Sequence, residues 1–366
     1  MKKVLTLILC LACLALCAAC GSGTSLDTEA LTGTYSRDLE GTTINVFNWG
    51  EYISDGSEGT LDVNAAFEEL TGVKVNYASF ESNEAMYAKL KSGAVSYDVI
   101  IPSDYMIQRL IGENMLRELD YGFIDNAGLT DPRYLNMYFD PDNAYSVPYM
   151  VGTVGLIYNT TMVEEAPDSW EVMWDERYSD DILTFNNSRD AFSIAQLLLG
   201  IDVNSTDKAD WDACADLLKQ QNKVLQGRVM DEVFNKMEAG NAAICAYYAG
   251  DYLIMKEENE DLAFVYPKEG TTAYMDSACV PANCQNYEAA LMYINFLLEP
   301  QVALANAETV VYTSPNLAVQ QDDNYSYKDD PILYGDLPPV QWFTDLPAEV
   351  RSYYESLWED ILLYSE

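Results

Sequence analysis

The segments TINVFNWGEY (43–52), DVNAAFEELTG (62–72), VKVNYASF (73–80), SNEAMYAKLKSG (82–93) and DVIIPSDY (98–105) decide the fold. From Thr43 to Asn48, Ile44 and Val46 alternate with polar neighbours, the period of a half-buried strand. Asp62 can cap a helix in which Val63, Phe67 and Leu70 follow i, i+4, i+7 spacing and which stops at Gly72. Val73, Val75 and Tyr77 alternate again. Ser82 can cap a second helix running through Met86 and Leu90 to Gly93, and the β-branched run Asp98–Ile101 ends at Pro102-Ser103. This β-α-β-α-β order specifies a parallel sheet with right-handed crossovers, whose ligands bind beyond the carboxyl ends of the strands. The loops so placed are Asn48-Trp49-Gly50-Glu51-Tyr52 and Pro102-Ser103-Asp104-Tyr105.

Further along, Asp181–Phe185 leads into a helix through Phe192, Ile194, Leu197 and Leu198, and Ala242–Tyr248 reads as a buried strand of small residues. A second α/β lobe follows from this repetition of composition, and 366 residues suffice for two domains. No repeat of fixed period appears. At the end, Val350, Tyr353, Tyr354, Leu357, Trp358, Ile361 and Leu362 share one helical face, which is read as packing.

Hydrophobic residues make up 49% and charged residues 22%, so the chain is globular. Against 20 Lys and Arg stand 59 Asp and Glu, a formal charge of −39, and a nucleic acid would meet a repulsive field. A diffuse attraction for cations remains, screened within about 10 Å. There is no His, which removes the Ser-His and Cys-His nucleophile pairs and most zinc constellations. No metal and no cofactor are expected.

Met1-Lys2-Lys3 followed by the apolar run Val4–Ala19 reads as a secretory signal over residues 1–19, short of the roughly 20 residues of a comfortable membrane span. Leu16-Cys17-Ala18-Ala19-Cys20-Gly21-Ser22 resembles a bacterial lipobox, with Cys20 as the acylated residue and Cys17 departing from the usual Leu. Residues 20–41 are expected to form a flexible tether, which holds the body near a membrane but not in it. The body keeps Cys214, Cys245, Cys279 and Cys284. Cys279 and Cys284 could pair across a turn at Pro281-Ala282-Asn283, or all four could be buried thiols, and spacing does not decide between these.

Several segments together resemble the bacterial spermidine/putrescine-binding family, the extracytoplasmic receptors of polyamine ABC importers. They are Phe47–Tyr52, Phe80–Leu90, Tyr274-Met275-Asp276-Ser277, Ile294–Leu298 and Ser314–Ala318, in family order. The resemblance implies a type II periplasmic-binding-protein fold: two α/β lobes with a ligand cleft between them. It places lobe 1 at 42–152 with 276–319, and lobe 2 at 153–275 with 320–366. It also implies a monomeric, non-enzymatic receptor that delivers polyamine to membrane permease subunits and meets the membrane only through its lipid.

A polyamine is an aliphatic chain bearing ammonium groups, so its site needs spaced carboxylates, aromatic walls and extra acceptors. By the resemblance, Trp49 and Tyr52 wall the cleft and Glu51 lies near a terminal amine, though Trp49 could also close the core. Ser103 and Tyr105 match a hydroxyl pair, with Ser103 also able to cap the following helix. Tyr274 and Asp276 match an aromatic and a carboxylate that sandwich and pair the nitrogens. Tyr248 and Tyr312 match wall positions, Tyr248 also reading as core. Asn187 and Asp190 align with two carboxylates three apart, the first here an amide; the same pair resembles a capping box. Gln341 matches an amide contact at shifted spacing.

Two rivals differ in kind. One keeps the fold and takes another organic cation, an amino acid, a sugar or a metal complex. The other is a glycoside hydrolase built on carboxylates alone, which would need an acid and nucleophile at fixed separation and has no local motif here.

Overall fold

The computed structural model describes residues 24–364. The expected signal and Cys20 lie outside the described residues. Eleven strands form one mixed sheet: β1 Thr43–Trp49, β2 Lys74–Phe80, β3 Val99–Ile100, β4 Leu116–Arg117, β5 Ser146–Asn159, β6 Ile182–Phe185, β7 Leu225–Val229, β8 Ile244–Tyr248, β9 Leu262–Val265, β10 Thr271–Pro281 and β11 Val340–Trp342. The order along the sheet is β2-β1-β3-β10-β5-β8-β6-β7. At each end three strands run parallel, β2-β1-β3 and β8-β6-β7, and between them β10 and β5 pair antiparallel. The result is two α/β halves whose shared strands β5 and β10 pass from one lobe to the other.

Local chemistry explains the first half. Asp62 accepts a hydrogen bond from Ala65 N and Gly72 ends the helix Val63–Thr71 in the left-handed conformation. Ser82 does the same for Ala85 N at the helix Asn83–Ser92, closed by Gly93. Ile44, Val46 and Phe67 are buried together in lobe 1. In lobe 2 the helix Ser188–Leu199 packs Phe192 edge-on against Trp211 at 5.1 Å, and Trp211 stacks on Tyr354 of the last helix, Ala348–Leu363, at 4.8 Å. The expected apolar face of that last helix is buried at Val350, Tyr354, Trp358 and Ile361, but Leu362 is exposed.

Residues 24–41 are not a free tether: Leu26, Tyr35 and Leu39 pack on the lobe 1 core, and Gly41 N donates to Gly72 O. Long-range partners, invisible to local pattern, hold them. The four body cysteines are free and buried. The turn after β10 does form, with Cys284 N bonded to Pro281 O, but Cys284 Sγ faces Asp98 and Cys279 Sγ faces Ser277 O.

Candidate ligand-binding cleft

A cavity of about 580 Å³ lies between the lobes, of a size that takes a small organic molecule. Of the expected site residues all but Gln341 line it. The carboxyl ends of β1 and β3 supply Trp49, Glu51, Tyr52, Ser103 and Tyr105. The far lobe supplies Asn187 and Asp190 from the start of a helix and Tyr248 from the end of β8. Tyr274 and Asp276 come from the crossing strand β10.

The carboxylates share one design. Asp276, 3% exposed, accepts from Tyr52 Oη and from Ser103 Oγ, each at 2.6 Å. Asp190, 6% exposed, accepts from Tyr248 Oη at 2.9 Å. Asp251, at the start of the helix Ala249–Glu258, accepts from Tyr312 Oη at 2.9 Å. Each anion is thus held by the hydroxyl of an aromatic that also walls the cleft. Burial disfavours the charged forms and the hydroxyls offset only part of that, so Asp276 is pushed up to about 6 and Asp190 and Asp251 to about 7. Asp276, with two donors, is shifted least.

The rings form a continuous wall. Tyr274 lies edge-on to Tyr248 at 5.3 Å and to Tyr312 at 6.1 Å, and Tyr312 to Tyr52 at 5.5 Å. Tyr274 can fold over the sheet because Gly152 is its partner on β5: a Cβ there would sit 2.2 Å from the Tyr274 hydroxyl. Trp49 packs on Phe80 at 4.6 Å and stays partly exposed, so it is wall and not sealed core. Glu51 is exposed, with φ 47 in the left-handed region, at the rim. Tyr105 Oη donates to Glu84 at 3.0 Å and accepts from Asn83 at 3.2 Å.

Three ambiguous roles separate. Ser103 precedes the helix Asp104–Gly112, but its side chain makes no cap bond and goes to Asp276. Asn187 is a true cap, its Oδ1 accepting from Arg189 N at 3.0 Å while the residue also faces the cleft. Asp190 turns to Tyr248, so no reciprocal capping box forms. Gln341 is misplaced by the sequence reading. Its amide oxygen accepts from Val203 N at 3.1 Å, and Phe343, just past β11, reaches the cavity instead.

Sequence reasoning missed Asp251, a third acid lining the cavity. An Asp in the first turn of a helix reads as dipole compensation; its place three residues after Tyr248 was the available signal. Asp231, raised by burial and by Glu232 and Glu81, also lines the cavity.

Residues 63–334 match the bacterial extracellular solute-binding protein family. This chain belongs to that family. It is 33% identical over 326 residues, 87% of its length and 91% of the relative's, to the spermidine/putrescine-binding periplasmic protein of Salmonella typhimurium. Among solved structures it superposes with TM-score 0.84 on a chain described as a spermidine/putrescine ABC transporter from Listeria monocytogenes, at 34% identity over 88% of this chain and 100% of that one. It also matches the spermidine/putrescine ABC transporter substrate-binding protein of Streptococcus pneumoniae, with TM-score 0.73 and 34% identity over 88% of this chain and 99% of that one. The bilobed type II architecture is therefore that of a solute-binding protein of a transporter family, not of a hydrolase.

Proposed function

We propose that the protein captures polyamines outside the cytoplasm and delivers them to an ABC importer, and that Asp276, Asp190 and Asp251 receive the ammonium groups. The observation that carries this reading is the set of three cleft carboxylates, each bonded to a wall aromatic and each raised in pKa by burial. A cation entering between them exchanges water for charge-assisted hydrogen bonds, and its methylene segments lie against Trp49, Tyr248, Tyr274 and Tyr312. An uncharged sugar would leave the acids uncompensated. Lobe 1 is taken as 42–152 with 276–319 and lobe 2 as 153–275 with 320–366. The receptor acts as a monomer, anchored by acyl chains on Cys20 and engaging permease subunits. A thermal-shift series tests the reading: putrescine and spermidine are expected to raise the melting temperature with concentration, and amino acids and sugars to leave it unchanged. The reverse pattern would transfer the cleft to another ligand class.

Asn187 sets a selectivity prediction. Its oxygen is committed to the helix, so what remains of the amide is an NH2 group, a donor that an ammonium cannot use. Aspartate caps as well as asparagine and has a second oxygen free. Asn187→Asp is expected to raise affinity for spermidine over putrescine by about tenfold in the ratio, or about 1.4 kcal/mol. Titration of both ligands into both proteins checks it, and an unchanged ratio removes Asn187 from the site.

A further inference from the structure

The N-terminal segment is bolted to one lobe by a buried carboxylate. Glu299, between the helices Tyr287–Leu297 and Pro300–Val310, is fully buried. It accepts from Thr32 N, from Gly33 N at 3.1 Å and from Asn126 Nδ2 at 2.7 Å, with the Thr32 hydroxyl 2.6 Å from its other face. Gly33 passes so close that a Cβ would lie 2.5 Å from Asn295 Nδ2 and 2.8 Å from the Tyr35 hydroxyl. Tyr35 packs edge-on against Phe296 at 5.6 Å. On either side, Gln301 pairs through both amide atoms with the Asp27 backbone, and Arg37 donates to the carbonyls of Glu69 and Leu70 at the end of a lobe 1 helix. Thr24 N bonds Gly59 O at 2.9 Å. Every one of these partners belongs to lobe 1.

We infer that residues 24–41 are a strap that presents lobe 1 to the lipid surface, with the Gly59 corner nearest the membrane. The inference rests on acylation of Cys20 as proposed above. A free tether over 20–41 would have a root-mean-square reach of about 25 Å and could offer any face. With Thr24 fixed, the link from Cys20 spans at most about 14 Å, whatever its conformation. The strap therefore sets an orientation that an unstructured tether could not: a permease in the same membrane meets a receptor already held by one lobe.

The test uses the lipidated full chain on vesicles carrying a headgroup quencher. The four body cysteines are buried, so one exposed cysteine introduced by Glu58→Cys in lobe 1, or by Asp168→Cys in lobe 2, takes a dye selectively. The Glu58 position is expected to be quenched at least threefold more than the Asp168 position. Gly33→Val, which unseats the strap, is expected to bring the two within a factor of about 1.5 while polyamine affinity stays unchanged. Equal quenching with the strap intact, or a difference that survives Gly33→Val, overturns the proposal. If the unaltered chain fails to float with vesicles while its cleft still binds polyamine, the anchor fails and the proposal with it; flotation with equal quenching overturns the proposal alone. A second readout needs no dye: Arg37 is the one basic residue between positions 21 and 73. Trypsin should cut there at least tenfold more slowly than in Gly33→Val, and equal rates would show that the strap does not hold.

Discussion

Asp276→Ala is expected to weaken polyamine binding by about 2–5 kcal/mol, from about 30-fold to a few thousand-fold in dissociation constant. Asp276 is the carboxylate nearest full burial in the cleft and the one on which two lobe 1 hydroxyls converge, from Tyr52 and Ser103. Its removal leaves a desolvated ammonium facing two hydroxyls with no anion behind them. The backbone at this point is also fixed, Ser277 N donating to Pro102 O at 3.1 Å, so the cleft does not readily rearrange to offer another acid. The ligand-free melting temperature should change little, because the lost group is one whose ionised form burial already disfavours. Calorimetric titration of the variant measures the effect, and an unaltered dissociation constant would remove Asp276 from the site.

The second large effect is on pH. In the ligand-free protein Asp276 is pushed up to about 6 and Asp190 and Asp251 to about 7, all by burial first. A bound ammonium favours the ionised forms, so binding expels the protons those acids hold. Affinity must then fall with falling pH wherever the free acids are protonated, by about tenfold or more per unit between pH 7 and pH 5.5. Above about pH 8 it should level off. The fold follows the opposite sign. A carboxylate raised from its ordinary 3.8 contributes stability that is present below that value and lost as pH rises through the folded one. The ligand-free cleft is thus least favourable near and above pH 7, where a polycation has most to restore. The rise in melting temperature on adding spermidine is expected to be larger at pH 8 than at pH 5.5. Equal rises at both would show that these acids do not titrate against the ligand.

How far the sequence could be read depended on the range of the interaction concerned. Asp62, Ser82, Gly72 and Gly93 act on backbone groups a few residues away, and the first half of lobe 1 was legible from them. Alternation at Ile44 and Val46 served equally well, since strand period is a local property. The pairing of β5 with β10 joins segments more than a hundred residues apart and leaves no local signal in the sequence. Asp251 reads locally as a helix-start acid; that it faces Tyr312 depends on where the chain returns some sixty residues later. Gln341 failed for a related reason. β11 is three residues long and gives no register of its own, so which side chain beyond it turns to the cleft is settled by contacts with Val203 and Tyr105. The strap was opaque throughout, because residues 24–41 have no period and their anchor, Glu299, reads as an ordinary surface acid before a proline.

A cleft that binds a polycation through its carboxylates must release protons as the ligand enters. Isothermal titration of ligand-stripped protein with spermidine and with putrescine at pH 7.5 tests it most directly, repeated in two buffers of different ionisation enthalpy. One site per chain is expected, with a dissociation constant of about 10 μM or tighter for at least one of the two and with net proton release read from the buffer difference. No heat from either polyamine at millimolar concentration, or saturable binding with no proton release, would contradict it.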